Sequence, residues 1–509
     1  MSASLTPPSI SYQLIFFYEF SIQIFKFYLH LMILYAFSTT YRSLLHAAVF
    51  KDNSPFTLHV AMFIPAILGQ ADEEQKKYWM KRASKMEIIG TYAQTELGHG
   101  TFIRGLETTA TYDPKTEEFV LHSPTLTAYK WWPGSLAHTA NYCVVMAHLY
   151  SLGKSCGIQP FLIQLRDEET HMPLPGIKLG EIGAKLGFNT VNNGFLGFEH
   201  HRINRDRMLM KNAQVLKDGT FRKSLNSKLT YGTMVYVRVV IVNGMANQLA
   251  RSVTIAVRYS GVRRQSELNA GEPQILDYVT QQHKLFIAIA SSHAFSLTAK
   301  WLTRMYQKFL RERLHAIACC LKAVTSWDTS AMSERLRTSC GGHGYMLSSN
   351  LPQIYGLVTA AVTYEGENTV LMLQTARSLV KAWEQALAGR PLSPTMSYLS
   401  EKISSKPKWE NSVEGIIKGF RRVYTSISES DVRQLQCTYE ELLGKVRPNA
   451  VGLVDAFDFR DQILNSTLGA YDGRVYERLM EEALKSPLNA EPVNQSFHKY
   501  LKPFMQGKL

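Results

Sequence analysis

Thr338-Ser339-Cys340-Gly341-Gly342-His343-Gly344-Tyr345, followed closely by Thr363-Tyr364-Glu365-Gly366-Glu367-Asn368-Thr369-Val370, is the stretch on which the reading of this chain turns. Its first half places glycine at 341, 342 and 344, which lets a backbone bend sharply and approach a ligand closely. Its second half sets a carboxylate beside a glycine, at the mouth of a run that reads as helix over residues 369–381. Glu365 stands between Tyr364 and Gly366 with apolar Val362 behind it. Partial desolvation there raises a carboxyl pKa toward neutrality and makes it a usable general base. A competing reading is an acid near a helix N-terminus that satisfies the macrodipole. The stretch by itself leaves both open.

Working outward, helical periodicity surrounds it. Residues 234–265, 274–309 and 311–337 read as three long helices before the glycine turn, and 370–388 as one after it. Residues 391–412 are rich in Pro, Ser and Lys and read as a linker, and 413–509 read as mostly helical. Further upstream, residues 86–210 change character. Short apolar runs (88–93, 110–112, 119–122, 142–148, 160–165) alternate with Gly, Pro, Asn and Asp turns, the pattern of an all-β domain. Asp113-Pro114-Lys115-Thr116 reads as a hairpin turn. Residues 55–83 are again helical in pattern.

Residues 14–37 are almost wholly apolar and long enough to span a bilayer. Glu19 and Lys26 would share one face of that helix, and two charges inside a span are costly. A buried segment is therefore preferred to a membrane anchor, and the long apolar region without a basic start argues against a signal peptide.

A chain of 509 residues holds two to four domains, and 45% hydrophobic with 19% charged residues is globular rather than disordered. The net charge of +14 favours an anionic partner such as a nucleotide-bearing substrate, although most of it reads as solvated surface. No basic run with interleaved aromatics suggests nucleic-acid binding. Six dispersed cysteines form no CxxC pair and no metal-ligand spacing, so no metal site and no disulfide framework is expected. Cys319 and Cys320 read as core thiols.

Three weaker signals point to a flat, phosphorylated ligand. Residues 91–100 run from a strand into a glycine-bearing turn, where Thr95 is placed to donate to the edge of a heterocycle. Lys130-Trp131-Trp132-Pro133-Gly134 offers either a large aromatic face or two core tryptophans. Arg258, Arg263 and Arg264 suit bidentate contact with pyrophosphate, or a solvated helix face.

In this order along the chain, those residues resemble the peroxisomal acyl-CoA oxidases, flavoenzymes of the acyl-CoA dehydrogenase superfamily. The likeness is carried by residues 91–100, 105–112, 130–134, 228–234, 258–267, 340–345 and 363–377, and by 453–459 and 471–489. It implies an α+β, mainly α fold: a helical N-terminal region (1–87), a central β domain (88–210), a helical-bundle flavin domain (228–390), the linker and a further C-terminal helical domain (413–509). It implies flavin adenine dinucleotide (FAD) as cofactor and Glu365 as catalytic base. Thr95 and Gly134 match flavin-binding positions, and Gly341, Gly342 and Gly344 match a turn beside the cofactor. Arg263 matches an arginine that reaches the cofactor pyrophosphate across a dimer interface. The implied reaction removes a Cα proton and a Cβ hydride from an acyl-CoA thioester, gives a trans-2-enoyl-CoA and passes the electrons to dioxygen as hydrogen peroxide. Partners are then acyl-CoA, dioxygen and a second subunit, the same chain or a related oxidase.

The chain departs from the family pattern in four places. No likeness is read before Pro55; Ser135 and Ala137 follow the tryptophan pair where glycine is usual; residues 401–449 and the stretch between Trp301 and Leu321 read as shortened. Gly507-Lys508-Leu509 differs by one residue from the Ser-Lys-Leu peroxisomal address and reads as a weakened signal. Two other functions remain on this reading: a dehydrogenase that passes electrons to a carrier protein, and a weakly active partner subunit of a full-length oxidase.

Overall fold

The computed structural model describes residues 53–223, 232–266, 271–308, 314–393, 395–400 and 472–507, together with 437 and 441. The apolar run at 14–37, the linker beyond residue 400, and Lys508 and Leu509 lie outside the described residues. The elements that position the site are helices α1 (Ile64–Gln70) and α2 (Glu73–Ser84), then strands β1 (Gly90–Ala93), β2 (Thr109–Asp113), β3 (Glu118–His122), β4 (Lys130–Trp131), β5 (Tyr142–Ser151), β6 (Lys154–Gln164), β7 (Ile177–Glu181), β8 (Gly194–Phe198), β9 (His201–Asn204), β10 (Ala213–Val215) and β11 (Phe221–Lys223). Helices α3 (Gly232–Val262), α4 (Val279–Lys308), α5 (Leu314–Ser339), α6 (Leu351–Ala360) and α7 (Asn368–Leu387) follow, with α8 (Val475–Leu484) near the end. Two compact units divide the chain: Met1–Leu371 with Tyr476–Leu509, and Met372–Val475.

Strand β5 organises the β domain. It pairs in parallel with β1 at one end and with β2 further along, and antiparallel with β6 throughout. The sheet continues from β2 to β3 and β9. A second sheet has the order β4-β8-β7. Side chains alternate along a strand, and β5 is buried on both faces. Cys143, Val145, Ala147 and Leu149 enter one core with Phe119, Phe161 and Leu196. Tyr142 and Val144 enter another with Phe63, Ile67 and Trp79 from the N-terminal helices. Each such buried aromatic or branched side chain is worth about 1.5–3 kcal/mol. Helix α2 is fixed in this packing by a capping box: Asp72 accepts from Gln75 N, and the Gln75 side chain accepts from Asp72 N.

The hairpin expected at 113–116 is present, with β2 and β3 antiparallel around it. Strands β7 to β11 and the short β4 were not among the sequence-predicted runs; β10 and β11 have only three residues each, and β8 is interrupted by two glycines. Trp131 is core, stacked on Phe195 at 5.9 Å between ring centroids, whereas Trp132 is 54% exposed. The two tryptophans thus divide between the two readings.

Helix α3 is apolar on several faces, and each finds a partner, as a centrally buried helix requires. Leu249, Val253 and Ala256 pack with Leu285 and Ala288 of α4 and Leu336 of α5. Val235, Val239 and Val242 meet Ala299, Leu302 and Ala318. Val237, Ile241 and Met245 meet Ile354 and Val358 of α6. The helix ends at Val262, so Arg263 lies just beyond it rather than within it, as the sequence had suggested. Helix α4 starts at Val279 because Ile275–Asp277 forms a separate 3-10 turn held by a Gln274–Asp277 capping box. Among the described residues, only the segment Val279–Gln307 is long and apolar enough to cross a membrane; Leu285, Ala288, Ala299 and Leu302 pack into the bundle core, whereas Phe286, Ile287, Leu297 and Trp301 are exposed.

The end of the chain returns to the β domain. Arg166, fully buried, donates to Pro492 O at 2.9 Å and to Ala137 O at 2.6 Å. The Asn489 side chain accepts from Glu181 N and donates to Glu181 O, and Phe497 stacks on His171 at 3.9 Å.

A buried ion pair fixes the loop after β1. Lys130 Nζ lies 2.9 Å from Glu96 Oε1, both side chains at 0% exposure, and it also donates to Gln94 O. The same carboxylate accepts from Glu107 N, Thr108 N and the Thr108 hydroxyl. Burial pushes the Glu96 carboxyl up, but the Lys130 ammonium and these hydrogen bonds outweigh it and hold it below the usual range. Lys130→Met leaves that carboxylate buried without its cation. The expected loss is about 3–5 kcal/mol of stability, measured by urea denaturation at neutral pH. A loss below about 1 kcal/mol would mean that the pair is dispensable.

Candidate active site

Helix α6 ends at Ala360, and a turn carries the chain through Tyr364 and Glu365 to α7. Glu365 takes φ +57° and Gly366 φ +106°. A left-handed conformation at a non-glycine residue costs about 1–3 kcal/mol, so surrounding contacts must hold it. Two cations do so through the backbone. Arg238 Nε of α3 donates to Glu365 O at 3.1 Å, and Lys322 Nζ of α5 donates to Gly366 O at 2.7 Å. Lys322 also donates to Asn368 Oδ1 at 2.9 Å, and the Asn368 amide bonds back to Ala323 O and the Ser326 hydroxyl.

With its backbone held, the Glu365 carboxylate is left over. Oε2 is shut off from solvent and accepts no hydrogen bond among the described residues. Burial pushes its pKa up; the nearby Arg238 and Lys322 charges only partly oppose this. Burial also lowers Lys322, together with the Arg238 charge, to about 8. A desolvated carboxylate of raised pKa with an unpartnered oxygen has the chemistry a general base needs. The macrodipole alternative does not fit. Glu367, not Glu365, accepts from Thr369 N and Val370 N at the start of α7.

The β domain meets this turn through one segment. Phe188 packs edge-on against Tyr364 at 5.9 Å between centroids. Three residues later, Val191 O accepts from Ser135 N at 2.7 Å, next to Gly134. Gly134 is buried, its carbonyl accepts from the Thr91 hydroxyl at 2.6 Å, and a Cβ there would lie 2.5 Å from Val191 and 2.7 Å from Leu58. Close packing thus requires glycine at 134 whatever it binds. Thr95 lies beyond β1, its carbonyl bonded to Trp131 N at 3.0 Å, and its hydroxyl makes no hydrogen bond among the described residues. Trp132, with φ +86°, is held through its carbonyl by Asn193. Ser135 also takes positive φ, and its hydroxyl donates to Pro55 O.

Arg263 and the glycine turn form a separate group. Arg263 Nη1 donates to the Tyr259 hydroxyl at 2.9 Å, and that hydroxyl is 3.0 Å from His343 Nδ1. Gly341, at φ +64°, faces the guanidinium closely enough that a Cβ would sit 3.2 Å from it. Gly342 faces open space, whereas a Cβ on Gly344 would lie 2.0 Å from Arg337 O. This group is not beside Glu365. Arg238 and Arg263 are 25 residues apart along α3, which at about 1.5 Å per residue is ~37 Å. Within one chain the two groups therefore belong to different ends of the bundle.

Sequence reasoning missed Arg238, Lys322 and Asn368. A signal existed for the first two: each is a lone charge in an apolar helical run, Val235 to Val242 and Ala316 to Val324. A lone cation on a buried helix face has to find an acceptor.

Comparison with known proteins places this geometry in a family. The N-terminal model of acyl-coenzyme A oxidases matches residues 18–89, the acyl-CoA oxidase C-alpha1 domain model matches 231–380, and the acyl-CoA oxidase model matches 414–506. Acyl-coenzyme A oxidase 1 of Drosophila melanogaster is 44% identical, covering 92% of this chain and 86% of its own length. Peroxisomal acyl-coenzyme A oxidase 1 of Rattus norvegicus is 41% identical over 89% and 85%. The structure of acyl-CoA oxidase-2 of Caenorhabditis elegans bound with FAD, ascaroside-CoA and ATP superposes with a TM-score of 0.74 at 36% identity, covering 96% of this chain and 90% of that one. The chain belongs to the acyl-CoA oxidase family and has its fold. The match at 18–89 corrects the reading that no likeness precedes Pro55. The match at 414–506 covers most of residues 401–449, so the stretch read as shortened still carries the family's likeness.

The raised Glu365 pKa has a consequence for stability. In the unfolded chain this carboxyl ionises near 4.5; in the folded chain it resists ionising. The folded state therefore pays a penalty that begins as pH rises through about 4.5 and is fully present above the raised folded value. Glu365→Gln removes it. The variant is expected to unfold at a higher temperature than the parent at neutral pH, with the difference vanishing below about pH 4.5, as read by calorimetry. A variant less stable than the parent at neutral pH would show that the carboxylate is not strained by burial.

Proposed function

We propose that this chain is an FAD-dependent acyl-CoA oxidase of peroxisomal fatty-acid β-oxidation, with Glu365 as the base that removes the substrate Cα proton. The observation that carries the reading is the solvent-shielded, unpartnered Oε2 of Glu365 on a left-handed turn between helices. The residues fit a flavin. A free Thr95 hydroxyl, the exposed Trp132 ring and the loop closed by Gly134 lie on the β-domain side, and Arg263 against Gly341 supplies a cation for phosphate. When bound, the flavin supplies the two-electron acceptor chemistry that links thioester oxidation to dioxygen.

The chain's own part is binding, orientation and proton transfer. Glu365 Oε2 accepts the Cα proton, which the thioester carbonyl has acidified. The Glu365 backbone N–H has no acceptor among the described residues and is available to the thioester oxygen as charge develops there. One such donor is worth about 2.7–4 kcal/mol in the transition state. The ~37 Å between Arg238 and Arg263 fits a dimer in which each copy lends its Arg263 and glycine turn to the cofactor bound near the other's Glu365. The peroxisome is supported by the relatives that carry it in their names.

Two measurements test this. Glu365→Gln is expected to lower peroxide formation from acyl-CoA by about 10²–10⁴-fold while retaining flavin; full activity would remove Glu365 from the chemistry. Arg263→Ala is expected to weaken FAD retention about 10–100-fold, read from flavin absorbance after dialysis. Unchanged retention would sink the pyrophosphate role.

A further inference from the structure

We propose that Lys322 is a positioning residue for the base: its ammonium holds the Glu365–Gly366 turn in its left-handed form and brings a positive charge to the turn that carries the Glu365 carboxylate. The inference rests on Glu365 being the base, as argued above.

Three observations carry it. Lys322 lies on the buried face of α5 and spends its ammonium on the turn, at 2.7 Å from Gly366 O and 2.9 Å from Asn368 Oδ1. No carboxylate lies within ion-pair distance of it among the described residues. Burying an ammonium without an ion pair is costly, and a purely structural contact to two carbonyl-type oxygens needs only a neutral donor. Asn368, itself fully buried, is in turn fixed by Ala323 and Ser326, so the ammonium is held in place from its own helix.

The surroundings of Glu365 show what the charge can do. From α3 it meets Arg238; from α5, Lys322, with His315 and Cys319 bonded to Arg238 behind; its own turn adds Tyr364 and Glu367. Arg238 and Lys322 are the cations that draw the carboxyl down against burial. Without that pull a desolvated carboxylate stays protonated, and a protonated carboxyl takes no Cα proton. Lys322 therefore acts in two separable ways, as a donor to the turn and as a charge.

Full-length, FAD-loaded protein carrying Lys322→Met, Lys322→Gln or Lys322→Arg separates them. For Lys322→Met the acid limb of the kcat/KM profile is expected to move up by about one pH unit, since the positive charge on the neighbouring carbonyl, Gly366 O, is gone. kcat is expected to fall about 10- to 100-fold, with KM changed less than about threefold. Hydrogen exchange of peptides spanning residues 362–371 should quicken, with flavin content kept. Lys322→Gln should show the same shift of the acid limb, and Lys322→Arg should restore its position. Should Lys322→Met fail to fold, the Gln and Arg pair alone gives the answer. An acid limb that stays put in Lys322→Gln overturns the proposal. So does a kcat loss that Lys322→Arg shares in full with no shift of the limb. Full activity in Glu365→Gln, by contrast, overturns the assignment of the base and not the effect of Lys322 on the turn.

Discussion

The backbone of one short turn, held in a left-handed bend by two cations from two different helices, is the constraint around which the site is arranged. A bond from Arg238 to Glu365 O and one from Lys322 to Gly366 O occupy the turn's carbonyls. Oε2 of the carboxylate is left without a partner among the described residues and is shut off from solvent. The strain at φ +57° is compensated by contacts made elsewhere, on helices whose lengths and packing are set by their apolar faces. The state of the Glu365 carboxylate thus follows from what its neighbours hold rather than from the side chain itself.

A second buried charge does different work in the β domain. Lys130 and Glu96 neutralise one another inside the loop after β1 and tie down the approaches to Thr95. There the carboxylate is saturated with donors and lies low in pKa; at position 365 it is starved of them and lies high. The same residue type is thus held ionised in one place and resists ionising in the other, according to hydrogen-bond supply.

Much of this was legible in the sequence. Apolar periodicity gave the bundle helices to within a few residues, because tertiary packing there agrees with local pattern. The long strand β5 was readable for the same reason. The hairpin at 113–116 was legible from its turn residues. Glu365 could be singled out from its neighbours, and Gly341 from the glycine turn. What escaped was long-range: Arg238 and Lys322 lie 127 and 44 residues from the carbonyls they bind, and no local pattern records such a pairing. Short strands such as β10, with three residues, fell below any periodic signal. Gly134 looked like a ligand position, but in the fold its missing side chain already matters for packing against Val191 and Leu58.

The return of the chain's end to the β domain sets an order of events in making the molecule. Arg166 and Pro492 are separated by 326 residues, and Glu181 and Asn489 by 308. While the ribosome is still adding the bundle helices, the guanidinium of Arg166 has no carbonyl at that position, and the edge at Glu181 has no cap. The β domain therefore emerges with a polar seam still open, and that seam closes only once residues 489–492 have been made. Closure over so many intervening residues is entropically slow, so the clasp forms after the β strands it joins.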